Sequence, residues 1–403
     1  MRTVEERIAE FNKGRVPEFL QMKYKNMRKD VFRFYRGTNH LYYEDLALAK
    51  NNTINISPTT WICGDMHLEN FGSYKADNRL VYFDINDFDD AVLAPCLWEV
   101  SRLLVSIVLA AKTEHLGSKA SAKKLCGYFI EVYSDTLKEG HARLVQEATA
   151  EGIVYDLFTK LEKRRRKDFI KSRTKLDDDK RKIIIDDVRA SALPKDLRKE
   201  IIEVVKEWAA DKPDPDFYKP LDAAARIAGT GSLGLERYGV LIKGKGEPNN
   251  YLLDIKLAKP SPVLQYAGIQ QPIWNNEAQR IKDVQKRMQA FPPALLETIQ
   301  IHDKWFVIKE LQPSEDRVNL VDCTGETLKL DSFIKTIASL TAWAQLRSSG
   351  RQGSAITDKL MEFASDESWH NPLLDYVNNY SAIMEEYYKK YSTAYEANCF
   401  KAN

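Results

Sequence analysis

The sequence predicts an α+β fold of two lobes, a small β-rich lobe set within a larger, mainly helical one. Helical patterning dominates the first half of the chain and returns from Asp331 onward. Between these stretches the character changes. RIAGTGSLGLERYGVLIKG, NNYLLDIKLAK and KWFVIKELQP are β-rich, with one helix, NNEAQRIKDVQKRMQAF, between the last two. The chain therefore divides into residues 1–215, a first part of the helical lobe; residues 216–312, the β-rich lobe; and residues 313–403, the helical remainder.

Bulk properties narrow the class. Sixty basic and 58 acidic residues nearly cancel, to a net charge of +2, so nothing in the balance calls for nucleic acid or an anionic membrane as partner. Five widely spaced cysteines without a C-x-x-C pair argue against a disulfide framework or a zinc site. Reduced thiols and a cytoplasmic location are expected. The charged, amphipathic start MRTVEERIAEFNKGRVPEF lacks the apolar core of a signal peptide. No apolar run approaches the roughly 18 residues that span a bilayer.

In chain order, residues 1–50 are helical in pieces. RVPEFLQMKYKNMRKDVFRFYRG stops at Arg36-Gly37, and LYYEDLALAK follows as a short helix. Residues 53–63 are β-rich and lead into CGDMHLENFGSYKADNRLVYFDINDFDDAVLAPCLWE, around which the chain is organised. TWIC runs into a loop with Asp65, His67 and Asn70; LVYF runs into a loop with Asp84, Asp87, Asp89 and Asp90. Two acid-bearing loops on the ends of neighbouring strands suit Mg²⁺, which takes one or two carboxylates plus waters and phosphate oxygens. EVSRLLVSIVLAAK then reads as a buried helix, and CGYFIEVYSDTLKEG as a second, ended by Gly140. The mixed-charge run at residues 160–182 reads as a solvated helix face and loop, in preference to a phosphate- or nucleic-acid-binding patch, because acids sit among its bases. LPKDLRKEIIEVVKEWAAD is an amphipathic helix, and DKPDPDFYKP a linker. The aromatic-rich last helix packs its tyrosines as helix faces.

The β-rich segment supplies a second half to this site. Gly229-Thr230-Gly231-Ser232-Leu233-Gly234 is a G-x-G-x-x-G run followed by a strand and not by a helix, which argues against a dinucleotide fold. A glycine loop joining antiparallel strands fits the phosphate-covering loop of protein kinases, where backbone amides approach phosphate oxygens. YLLDIKLAK then places Lys256 where a kinase carries the lysine of the α/β-phosphates. Glu277 and Asp283 on the following helix are its candidate acidic partners, and KWFVIKELQP ends in a hinge. The order is unusual, because the Asp65 and aspartate loops precede the glycines. A circular permutation, cut just before the catalytic loop, reconciles it.

GDMHLENFG and NDFDDAVLAPCLWEVSRLL resemble the catalytic and metal loops of aminoglycoside phosphotransferase-like kinases, patterned G-D-x-H-x-x-N and D-x-D-D-A. More closely, residues 20 to 355 resemble the bacterial family called domain of unknown function 2252, through FRFYRG, GDMHLENFG, FDINDFDDA, AGTGSLG, LLDIKLA, QRIKDVQKRMQ, FVIKELQ and AQLRSSGRQG. The resemblance implies Asp65 as catalytic base, His67 as loop histidine and Asn70 as metal-binding asparagine. Two positions compete for the metal aspartate: Asp84 by spacing from Asn70, and Asp87 by the longer match to D-D-A and Pro95; Asp87 is preferred, with Asp84 second. Glu99 stands where the pattern has Asp, and QLRSSGRQG replaces A-H-A-R-S-G-D.

The expected function is therefore ATP- and Mg²⁺-dependent phosphoryl transfer to an unidentified hydroxyl acceptor. Lys256 and the Gly229–Gly234 amides hold nucleotide phosphates, and Arg36 either reaches a phosphate or makes a structural ion pair. A nucleotide-binding pseudokinase and a metal-dependent phosphohydrolase are the alternatives.

Overall fold

The computed structural model describes residues 2–49, 53–113, 115–116, 121–178, 180–229, 231–313, 316–323 and 326–400. Four helices open the chain: α1 (Val4–Phe11), α2 (Pro17–Met27), α3 (Val31–Gly37) and α4 (Asn39–Leu48). Thr3 and Glu6 form a reciprocal cap on α1. The run predicted to end at Gly37 does so, but it breaks at residues 28–30, where Asp30 leaves the helical conformation and caps α3 through the Arg33 amide at 2.8 Å.

Four short strands follow: β1 (Thr59–Ile62), β2 (Phe71–Lys75), β3 (Val81–Ile85) and β4 (Val92–Pro95). The sequence reading made the strands before the two acidic loops neighbours. Instead β1 pairs antiparallel with β4, and β2 with β3. The partner strands FGSYK and VLAP are short and contain a glycine and a proline respectively, so they carry little pattern of their own. Helix α5 (Leu97–Ala111) is buried at every position from Leu97 to Ala110, including Glu99, Arg102 and Ser106. Helix α6 (Ala122–Lys138) ends before Gly140, whose φ of +66° suits only the chain turn that stops a helix there.

Helices α7 (Gly152–Glu162) and α8 (Arg166–Arg173) lead into a hairpin of β5 (Thr174–Asp177) and β6 (Lys180–Ile183). The charge run thus holds the expected helix, with a hairpin where a loop is expected, and parts of it are tied down by ion pairs. Arg164 forms two bonds with Asp316, at 2.6 and 2.7 Å, and Arg166 reaches Glu310 at 3.0 Å.

The chain then builds β7 (Ala190–Ser191), α9 (Lys195–Ala210), β8 (Pro220–Arg226), β9 (Arg237–Ile242), β10 (Tyr251–Leu257), α10 (Leu264–Ala267), α11 (Glu277–Met288), β11 (Glu297–Ile301) and β12 (Lys304–Glu310). Strands β7 to β12 form one antiparallel sheet in the order β11-β12-β10-β9-β8-β7. Helix α9 closes one face, with Ile201 and Val205 packed among Val240, Ile242, Leu253, Ile255, Phe306 and Ile308. Fully burying one such side chain contributes about 1.5–3 kcal/mol. The boundary drawn at residue 215 therefore falls inside this unit, which already includes β7 and α9. An amphipathic helix shows that it has a buried face but not which core receives it.

Helices α12 (Thr327–Ser348), α13 (Thr357–Ser365) and α14 (His370–Glu396) complete a mixed α+β structure with fourteen α-helices among the described residues. The larger core unites α1–α7 with α11–α14. The tail tyrosines pack as predicted, Tyr380 reaching Asp45 and Tyr391 the Tyr24 carbonyl. No helix among the described residues is long and apolar enough to cross a membrane.

Candidate functional site

The loops after β1 and β3 lie face to face, and small side chains fasten them. Gly64 has φ +80°, and a Cβ there would lie 2.0 Å from the Asp90 carbonyl oxygen, so only glycine permits the approach. Asn70 is 3 % exposed. Its Oδ1 accepts from the Asp87 amide at 2.9 Å, while its Nδ2 donates to the Asp65 carbonyl at 3.1 Å. Asn39, from α4, donates to the Gly64 carbonyl and to Asp90 Oδ2 at 3.1 and 2.6 Å.

Within the first loop, Asp65 is fixed through one oxygen. Oδ1 accepts from Arg102 Nε at 3.0 Å and Nη2 at 2.6 Å, and Arg102 is fully buried against the Tyr35 ring. Its Oδ2 has no partner among the described residues. His67 is 7 % exposed and its Nδ1 accepts from the Glu69 amide at 3.1 Å. Burial, then the charges of Arg36, Arg102 and Arg317, holds its pKa well below the usual histidine value, so it is a neutral, loop-shaping group. Arg36 pairs with Glu69, and its Nε is buried without a partner among the described residues.

Across the cleft, the glycine loop joins antiparallel β8 and β9. Gly229 and Gly234 take φ of +73° and +88°. Thr230 lies outside the described residues. The loop is held by the N-terminal helices: Arg15 Nη1 donates to the Gly231 and Leu233 carbonyls at 2.9 and 2.6 Å, and the Val16 amide to Gly234 at 2.9 Å. Fully buried Lys23 donates to Gly231 at 3.2 Å.

Lys256 on β10 spans the cleft. Its ammonium pairs with Asp87 Oδ2 at 3.2 Å and with Asp89 Oδ2. Burial opposes charge on all three groups, and the outcomes differ. Lys256, then Lys309 and Arg237, overcome that cost at Asp87 and hold its carboxyl far below the usual range. Asp89 is raised, by burial and then by the Asp87 charge. Asp90 is pushed up to about 7 by burial and then by Asp65, Asp89 and Asp87. The pKa of Lys256 stays raised because Asp87 and Asp89 outweigh its burial.

Two cavities meet here, sharing Asp87, Asp89, Gly229, Ser232 and Arg317. One, of about 160 Å³, opens beside Asp65, Arg36 and Asn70. The other, of about 290 Å³, lies under the sheet, with Lys256, Lys309, Arg237 and Gln312 on its walls.

Of the residues singled out by sequence, the cleft gathers Asp65, His67, Asn70, Asp87, Arg36, Lys256, Gly229, Gly231 and Ser232. Gly234 sits at the loop's clamped end, where a Cβ would lie 2.8 Å from Arg15 Cβ. Asp84 is not part of it. It is 2 % exposed, accepts from the Ile85 and Ala290 amides at 2.9 and 3.3 Å, and faces Arg347. Strand alternation carries its side chain away from the cleft. Glu277 and Asp283 do not pair with Lys256: Glu277 accepts from Arg280 at 2.6 Å, and Asp283 from Gln279 at 2.7 Å. Arg280 uses its other donors on the Ala91, Asp89 and Lys259 carbonyls, which ties α11 to the aspartate loop. The sequence reading left Asp89 and Asp90 unassigned within their cluster and gave no role to Arg102, Arg15, Lys309 or Arg317. Only their convergence in space marks these residues.

Among the described residues no three His, Cys, Asp or Glu side chains converge as a closed metal site. An open Mg²⁺ site does not need three, since waters and phosphate oxygens complete its shell. The two departures from the kinase pattern touch each other: Glu99 accepts from Gln345, in the place of the missing histidine, and from the Cys63 amide, each at 2.8 Å. Comparison with curated proteins and with solved structures gives no match. Residues 15–394 match the family described as an uncharacterized protein conserved in bacteria, DUF2252, and the chain belongs to that family.

Proposed function

We propose that this protein is an ATP- and Mg²⁺-dependent phosphotransferase with a bilobal, kinase-like fold whose motif order is circularly permuted. The observation that carries the reading is the meeting of Lys256 with Asp87 and Asp89, 169 and 167 residues earlier, beneath a glycine loop. The sheet adds support. Its glycine loop, following strand, lysine strand, helix and two further strands run in the order kinases need for phosphate binding.

In this reading the larger cavity takes the nucleotide. The glycine-loop amides, Lys256 and Lys309 face its phosphates, and Gln312 lies toward the hinge. Asp87 and Asp89 already converge on one cation, the Lys256 ammonium, so their donor set fits Mg²⁺ alongside phosphate oxygens. Bound there, the metal supplies charge neutralisation at the phosphates. Asn70 holds the Asp87 loop to the Asp65 loop. The free oxygen of Asp65 orients the acceptor hydroxyl and takes its proton as the oxygen bonds the γ-phosphorus. The bond from γ-phosphorus to the β,γ-bridging oxygen breaks, and ADP leaves.

The test has two arms. ATP with Mg²⁺ is expected to raise the melting temperature, and no shift overturns the reading. Asp65→Asn is expected to keep that shift and to lose about 10²–10⁴-fold in ATP turnover. Equal turnover in both proteins removes Asp65 from the chemistry. Nucleotide binding with no turnover in wild type leaves the pseudokinase, and phosphate release from phosphoesters without nucleotide leaves the hydrolase.

A further inference from the structure

The smaller cavity has cationic donors of its own on one wall, facing the carboxylates of Asp65, Asp87, Asp89 and Asp90. Arg15 and Lys259 both line it, and neither forms an ion pair among the described residues. Arg15 spends only Nη1, on two backbone carbonyls; its Nε and Nη2 have no partner among the described residues. Burial lowers both pKa values, that of Arg15 to about 10 against the favourable charge of Asp90, and the Arg15 charge lowers that of Lys259 further. The unspent Nε and Nη2 of Arg15 and the unpaired ammonium of Lys259 are donors that an anion brought from outside can take up. In the proposed arrangement the nucleotide's phosphates meet Lys256 and Lys309 in the other cavity, with Arg317 on the wall the two share.

We propose that the acceptor is a small hydroxyl compound bearing a carboxylate or phosphate, with that anionic group held by Arg15 and Lys259 and its hydroxyl directed to Asp65. This rests on the phosphotransferase reading for the role of the hydroxyl, but the anion site stands on its own geometry. The size of the cavity, about 160 Å³, suits a compound of a few carbons and not a folded protein surface. Phe11 and Leu235 on its wall leave an apolar side for the carbon skeleton.

Calorimetry without nucleotide, using glycerol 3-phosphate and glycerate as probes and glycerol as control, tests the site. Binding of at least one acidic probe and none of glycerol is expected. Lys259→Gln and Arg15→Gln should each weaken it about tenfold. Absence of acidic-probe binding, or binding unchanged in both variants, overturns the proposal. Nucleotide affinity measured on Lys259→Gln separates the two ideas. Lost anion binding with unchanged ATP affinity supports the acceptor site, and anion binding in a protein that never binds ATP retains the site while the kinase reading falls. In the turnover arm, ATP consumption stimulated by acidic hydroxyl compounds is expected. Stimulation by neutral or cationic ones alone overturns the assignment.

Discussion

Two residues of one strand show how differently the same interaction can be used. Asp254 and Lys256 lie two apart on β10 and therefore share a face. Asp254 is 2 % exposed and holds two guanidiniums: Arg237 at 2.5 and 2.8 Å, and Arg226. Burial opposes its charge, but Arg226 and Arg237 keep its pKa far below the usual range. Lys256 holds two carboxylates, but the Asp87 side chain is 45 % exposed and faces both cavities. The first cluster lies on the wall of the larger cavity, but both oxygens of its buried carboxylate are taken by guanidiniums, and it carries a surplus positive charge. The second is open and leaves a surplus negative charge facing a space large enough for a ligand. A buried carboxylate with both oxygens paired serves to hold strands together, whereas a half-exposed one beside a single ammonium is poised to exchange its cation.

Substitutions in the two clusters are expected to act on different properties. The largest effect is expected for Asp254→Asn, which leaves two buried arginines without their carboxylate. Denaturant unfolding should show a loss of about 3–5 kcal/mol. A loss below 1 kcal/mol would mean that the cluster is not structural. Glu99 comes next, because it is a sealed carboxyl without a cation: burial pushes its pKa from 4.5 up to about 7. A raised folded-state pKa stabilises below the unfolded value and ceases to do so as pH climbs through the folded one. Unfolding free energy should therefore fall between about pH 4.5 and 7, by up to about 3 kcal/mol from this group, and Glu99→Gln should flatten that slope.

Smaller effects sharpen the open end. Lys256→Met should raise the Kd for ATP with Mg²⁺ at least about tenfold while changing unfolding free energy by less than about 1 kcal/mol. The reverse pattern would make Lys256 another Asp254. Arg166→Ala, at a partly exposed pair with Glu310 that also stacks on Tyr251 at 3.6 Å, should cost about 1 kcal/mol or less in unfolding free energy and leave ATP affinity unchanged.

The legible parts of this molecule were local. GDMHLEN, the aspartate cluster, the glycine loop and the apolar strand around Lys256 each fit in a short window, and each lies in or beside the cleft. The illegible parts join distant windows. Arg102 reaches Asp65 from 37 residues away and Arg15 clamps Gly231 from 216, and no periodicity encodes either contact. Glu277 and Asp283 were plausible partners for Lys256 by proximity in sequence; the partners came from the far side of the chain, because α11 spends its acids on its own turns. The edge of the sheet was misplaced for a related reason: β7 has two residues, too few for any pattern to register.

The contact between Glu99 and Gln345 has a consequence for reading relatives of this chain. Position 99 must reach both the Cys63 amide and a side chain on α12, so its length and the partner's reach are set together. Shortening the acid by one methylene draws its oxygens back from α12, and only a different residue at 345 restores the bridge. The two positions are the two ends of one buried bridge. A change at position 99 of a relative is therefore to be read together with its residue at 345, because each is one end of the same contact.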